Sequence, residues 1–124
     1  MSTPQVKAVE AFLTALHAKD MDALAEATAL RAPTEAKGES HKKLFQGVRD
    51  NSVSDDEMDQ LVKAFEGYEV GDMHFGRSTG QATVVLFKPH GDRTLSRAVI
   101  VRKEKAGWKV LDYEAPRVYD RRLR

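Results

Sequence analysis

The spacing of apolar residues along the chain changes period once, at Gly67. Before it, apolar positions recur every three to four residues, and after it every two. Val6, Val9, Leu13 and Leu16 form the first helical stripe, widened by Phe12. Thr3-Pro4 supplies an N-cap oxygen and then a ring preset to helical φ. Asp20 reads as a second N-cap, opening a short helix through Met21, Leu24, Ala27 and Thr28. Pro33 is expected to end that helix, because the residue before a proline is pushed out of the α region. The polar stretch PTEAKGESHKK reads as a loop that enters a third helix near Ser40, with Leu44, Phe45 and Val48 as its apolar side. In NSVSDDEMDQLVKAFEG, Ser54 and Glu57 make a capping box, and Asp55 and Asp56 sit on the positive end of the helix dipole. Met58, Leu61, Val62 and Phe65 give that helix its buried face, and Gly67 is its stop.

Beyond Gly67 the pattern predicts four strands, at 68–77, 81–88, 94–104 and 108–114. The connectors 78–80, 89–93 and 105–107 are of hairpin length, and none could hold a crossover helix, so the strands form an antiparallel meander. Val84-Val85-Leu86-Phe87 and Ala98-Val99-Ile100-Val101 are apolar at consecutive positions, which predicts that both faces of the sheet are covered. Helices can cover one face. For the other we expect a second copy of the chain, giving a homodimer through the β-sheet.

A length of 124 residues suits one domain, here residues 1–116, followed by a basic tail at 117–124. Twenty basic residues against nineteen acidic ones leave no global charge to steer the chain toward nucleic acid. The four arginines of RVYDRRLR lack the serial aromatics of a nucleic-acid platform, so nucleic acid is not an expected partner. The absence of cysteine removes disulfides, thiolate metal sites and cysteine nucleophiles together. No apolar run approaches the roughly 20 residues of a membrane span. No signal-peptide pattern is visible, which makes a cytoplasmic location the default, although an exported form lacking its leader would read the same.

Two stretches carry a family likeness. VEAFLTALHAKDMDALAEA resembles the opening helix pair of the nuclear transport factor 2-like superfamily, and RKEKAGWKVLDYE is similar to its closing hairpin. That superfamily includes ketosteroid isomerase, scytalone dehydratase, limonene epoxide hydrolase and polyketide cyclase relatives. The resemblance runs from about Pro4 to Pro116 and implies an α+β cone, cystatin-like, with helices packed on a curled antiparallel meander. It also implies a cavity between helices and sheet, which enzymes of the superfamily line with carboxylates, tyrosines or histidines and other members use for binding or assembly. The first helix here has no tyrosine, only His17 near its end, which departs from the isomerase pattern.

Candidate chemistry is sparse. Period two places Trp108, Val110 and Asp112 on one face of the last strand, opposite Lys109, Leu111 and Tyr113. An inward Asp112 would make a desolvated acid or base. The competing expectation is a carboxylate at the rim, paired with Arg97 or Arg102. His74 shares a strand face with Asp72, Val70 and Tyr68 and is the candidate imidazole. His17, His41 and His90 fall at a helix end, in a polar segment and in a turn, without metal-ligand spacing. No P-loop, dinucleotide or nucleophile-elbow motif is present, and no cofactor is expected. The residues therefore point to a non-catalytic domain that binds a small apolar ligand or a protein partner. Its candidate lining is Trp108, Asp112, His74, Phe12 and Leu16. The alternatives are an acid–base enzyme using Asp112 and His74, or a structural accessory module.

Overall fold

Helix α1 (Pro4–Ala18) begins where the sequence places it, in a computed structural model that describes residues 3–76 and 80–119, with the side chains of 72–75 and 119 left aside. Thr3 Oγ1 accepts from the Val6 N–H, and Lys19 closes the helix in the left-handed region at φ 53°. Asp20 caps α2 (Met21–Ala27) by accepting from the Ala23 N–H. The helix stops well short of Pro33 because a tertiary pairing competes for its end. Thr28 turns extended, bridges to Val110 in parallel, and the Ala29 N–H donates to the Val110 carbonyl at 2.7 Å. Pro33 instead sits in the first turn of an additional short helix, α3 (Ala32–Glu35), inside the stretch read as loop. Helix α4 (Glu39–Asp50) follows, then α5 (Asp55–Phe65), whose Ser54–Glu57 capping box is formed in both directions.

Cations hold the C-terminal end of α2. Arg49 donates to the carbonyls of Ala25, at 2.8 Å, and Thr28, and Lys109 Nζ donates to Glu26 O at 2.6 Å. Positive charge is favourable at the negative end of a helix dipole.

Strands β1 (Glu69–Phe75), β2 (Gln81–His90), β3 (Arg93–Glu104) and β4 (Gly107–Tyr113) form the meander in the order β1-β2-β3-β4, each pair antiparallel. The connector read as five residues shrinks to Gly91-Asp92, with Gly91 at φ 64°. Residues Arg117–Tyr119, the start of the segment read as a basic tail, form β5 and pair with Thr94–Ser96 of β3.

The main core lies between α1, α5 and one face of the sheet, where Val9, Phe12, Leu16, Leu24, Phe65, Val84, Leu86, Val99, Val101 and Val110 are buried. Ala29, Ala32, Ala36, Phe45 and Leu111 make a smaller core under α3 and α4. On the opposite face of the sheet, Val85, Phe87, Ala98 and Ile100 are only half-buried within one chain.

Two irregularities break the period. Between β1 and β2 the register shifts after Val70, and a Cβ on Gly71 would come within 2.4 Å of the Phe87 ring, so only glycine fits beneath that ring. Between β3 and β4, Val101 faces Val110 but Ile100 faces Asp112, leaving Leu111 as an extra, bulged residue.

Candidate functional site

The β4 bulge decides where Asp112 goes. Without it, Asp112 would share a face with Trp108 and Val110, as strict alternation predicts. One extra residue reverses the parity, so Asp112 stands opposite Ile100, on the other face from Val110 and its partner Val101. Asp112 is nonetheless only 4% exposed. Its Oδ2 accepts from the Lys37 N–H at 2.8 Å, and its Oδ1 lies 2.8 Å from His41 Nδ1.

The expected arginine partners are engaged elsewhere. Arg97 donates to the Glu114 carbonyl and Arg102 to the Glu35 carboxylate. The rim pairing is thus replaced by a buried pair with an imidazole from α4. His41 reaches it because it continues the inward stripe of its helix: 41, 44, 45 and 48 follow the i, i+3, i+4, i+7 spacing. That spacing was the signal available in the sequence, hidden by the polar neighbours of His41.

An ionised carboxylate only accepts hydrogen bonds, so His41 Nδ1 carries the proton, and in the neutral form of the ring Nε2 is the acceptor. Among the described residues, Nε2 has no hydrogen-bond partner. The ring stacks on Tyr113 with centroids 4.3 Å apart and planes 25° from parallel. Tyr113 in turn meets the edges of Phe45 and Phe65.

This group separates two clefts. One, of about 340 Å³, is lined by Ser40, His41, Leu44, Glu57, Gln60, Leu61, Ala64 and Tyr113. The other, of about 330 Å³, is lined by Lys37, Thr83, Ile100, Leu111 and Asp112 among others. Asp112 borders one and His41 the other, with their hydrogen bond between.

Burial pushes the Tyr113 phenol above its ordinary value of 10.0, opposed by Arg97 and reinforced by Asp112. A phenol that ionises later in the folded state than in the unfolded state contributes stability below the unfolded pKa, and loses it as pH rises through the folded one. Stability should therefore fall above about pH 10 more steeply in the parent than in Tyr113→Phe. Urea unfolding of both proteins across that window checks this, and identical slopes would contradict it.

The remaining sequence candidates divide. The backbone of His74 lies in one cross-strand row with Thr83, Ile100 and Asp112, three strand spacings or about 14 Å from Asp112. The His74 side chain lies outside the described residues. Phe12 and Leu16 are 1% and 0% exposed within the main core. Trp108 is half-buried and packs against that core. Among the described residues, no three histidine, aspartate or glutamate side chains gather to hold a metal ion, and no helix is long and apolar enough to cross a membrane.

No protein-family model and no curated protein matches the chain. Solved structures do match its fold. One is a provisionally named dehydratase of the NTF2-like family from Streptomyces avermitilis, at 15% identity and TM-score 0.51, over 88% of this chain and 90% of that one. Another is an NTF2-like protein of unknown function from Shewanella oneidensis, at 15% identity and TM-score 0.51, over 89% and 93%. A third is a provisionally named calcium/calmodulin-dependent protein kinase type II association domain from Thiobacillus denitrificans, at 16% identity and TM-score 0.50, over 94% of each. The α+β arrangement of helices on a curled antiparallel sheet is thus the NTF2-like fold, without a specific subfamily.

Proposed function

We propose that this NTF2-like domain binds a small molecule with an apolar body and one hydrogen-bonding group, in the cleft between α4, α5 and the end of β4. One observation carries the reading: buried Asp112 fixes the His41 ring so that Nε2, an acceptor when the ring is neutral, is unused at a cleft that Leu44, Leu61, Ala64 and Tyr113 share with Ser40, Glu57 and Gln60. Fixed polar groups beside apolar wall residues in a concavity of about 300 Å³ or more are a common make-up of a small-molecule site. The uncharged fluorophore N-phenyl-1-naphthylamine should brighten on the parent protein, and Ala64→Trp, which fills the cleft, should abolish the effect while leaving the circular dichroism unchanged. Equal brightening on both proteins would sink the assignment.

A second reading, acid–base catalysis in the same cleft, is favoured by the 2.8 Å Asp112–His41 contact. A carboxylate so placed orients the imidazole and stabilises the imidazolium formed when Nε2 takes a proton. It predicts deuterium exchange into the α-carbon of a bound ketone, slowed by about 10² or more in His41→Gln. Binding without exchange leaves the first reading alone.

Pairing of two chains through the sheet belongs to the proposal as well, supported by the half-buried row of Val85, Phe87, Ala98 and Ile100. Light scattering at micromolar concentration should return twice the chain mass, and a strict monomer would remove this part.

A further inference from the structure

The wall of the His41 cleft carries a carboxylate, and among the described residues no lysine or arginine borders it. The carboxylate is Glu57, in the first turn of α5. Its Oε1 accepts from the Ser54 N–H at 3.1 Å, while Oε2 has no hydrogen-bond partner among the described residues. The hydrogen bonds with Ser54, and to a lesser degree the Lys43 charge, hold this carboxyl below its ordinary value of 4.5, so it is ionised at neutral pH.

The cations nearby do not cancel it. Lys43 lines the neighbouring groove with Gln46, Gly47 and Asp50, and forms no ion pair with Glu57 among the described residues. Lys42 leans toward Glu39, at 3.8 Å. The positive end of α5 amounts to about half a unit charge, and it faces three carboxylates, Asp55, Asp56 and Glu57. Behind the wall, buried Asp112 adds a negative charge that its partners, the Lys37 N–H and a neutral His41 ring, leave unbalanced. A cation in front of Nε2 favours that neutral ring and so keeps Nε2 an acceptor. An alkylammonium is a compact cation with three donors and no acceptor. It suits a wall that offers one open carboxylate oxygen and one imidazole nitrogen. An anionic head would face Glu57 with no lysine or arginine to hold it.

We propose that the small molecule in this cleft carries a protonated amine, which donates to His41 Nε2 and to the open oxygen of Glu57. The proposal rests on the binding reading above and adds the charge of the ligand to it. The apolar body would lie against Leu44, Leu61 and Ala64.

The test compares 2-phenylethylamine, protonated at neutral pH, with the uncharged 2-phenylethanol and the anion phenylacetate, each titrated into the full chain and followed by NMR. The amine should bind the parent about threefold to tenfold tighter than the alcohol, the range expected where an exposed carboxylate forms half of the pair. It should also move the His41 Nε2 resonance. Raising the ionic strength from about 0.01 M to about 1 M should narrow the gap, since Glu57 is exposed. Glu57→Gln keeps the capping box, which glutamine also completes, and should lose most of the preference. Ala64→Trp should bind neither amine nor alcohol. Equal binding of amine and alcohol to the parent overturns the inference and leaves the binding reading intact. A preference undiminished in Glu57→Gln, or indifferent to salt, also overturns it. Tighter binding of phenylacetate than of the amine overturns it too, and would make His41 a charged donor in the occupied cleft. Failure of all three probes to bind counts against the binding reading itself, and the inference falls with it.

Discussion

Replacing Asp112 with alanine is expected to lower stability by about 3 kcal/mol. The carboxylate is buried and accepts from both the Lys37 N–H and His41 Nδ1, so its removal leaves two donors without an acceptor in a low-dielectric setting. Urea unfolding measures the loss, and a change below about 0.5 kcal/mol, the size typical of surface substitutions, would show that neither bond matters. Asp112→Asn separates charge from shape. The asparagine oxygen can still serve one donor, but its NH₂ then faces the other. The simplest accommodation is for His41 to change tautomer, with Nδ1 becoming the acceptor and Nε2–H turning outward as a donor. Nitrogen-15 shifts of the imidazole should report that reversal. The hydrogen-bonding character of the cleft would invert with little change in its form.

Phe65→Ala is expected to cost still more, about 4 kcal/mol. Phe65 is fully buried and joins the core to the site: its ring meets Phe12 edge-on at 5.7 Å and Tyr113 at 5.1 Å, with the Arg97 guanidinium at 5.3 Å. Removing it opens a void that those three groups cannot fill without moving. Phe65→Leu restores most of the volume and should recover more than half of the loss. Denaturant midpoints test the series, and an alanine variant losing under about 2 kcal/mol would mean that the surroundings collapse into the space. Because Tyr113 loses an edge contact, its near-ultraviolet dichroism should weaken in the alanine variant as well.

The helices and strands were legible because their signals are local. Thr3, Asp20, Ser54 and Gly67 mark ends by side-chain or backbone chemistry that acts within three residues. The apolar stripe of α5 and the alternation of β2 need no partner to be recognised. Misreadings arose where a distant segment took over. Thr28 and Ala29 left the helical pattern because Val110 offered hydrogen bonds, which no nearby residue announces. Helix α3 has only four residues, too few to set up a period.

The site was half legible. Asp112 stood out as a carboxylate in an apolar strand, but its direction depends on a single bulged residue. Strict alternation through Leu111 gave the wrong face. Its partner lies 71 residues away in sequence, so the pairing is a product of the fold rather than of any motif. His41 sat in register with Leu44, Phe45 and Val48, and weighing that spacing above the polarity of its neighbours would have placed it inward.

The strand-like pairing of Thr28 and Ala29 with Val110 has a consequence for self-association. It occupies hydrogen-bonding positions along the outer edge of β4 that would otherwise be open to another chain. β5 adds only three residues beyond it. Among the described residues, the longer rim of the sheet without a strand partner is then β1, at the other end of the strand order. A body with one such rim can meet a second copy across a twofold axis, and there the growth stops. Polymerisation by strand addition needs two sticky rims, and this chain occupies part of one, at Val110, with its own backbone.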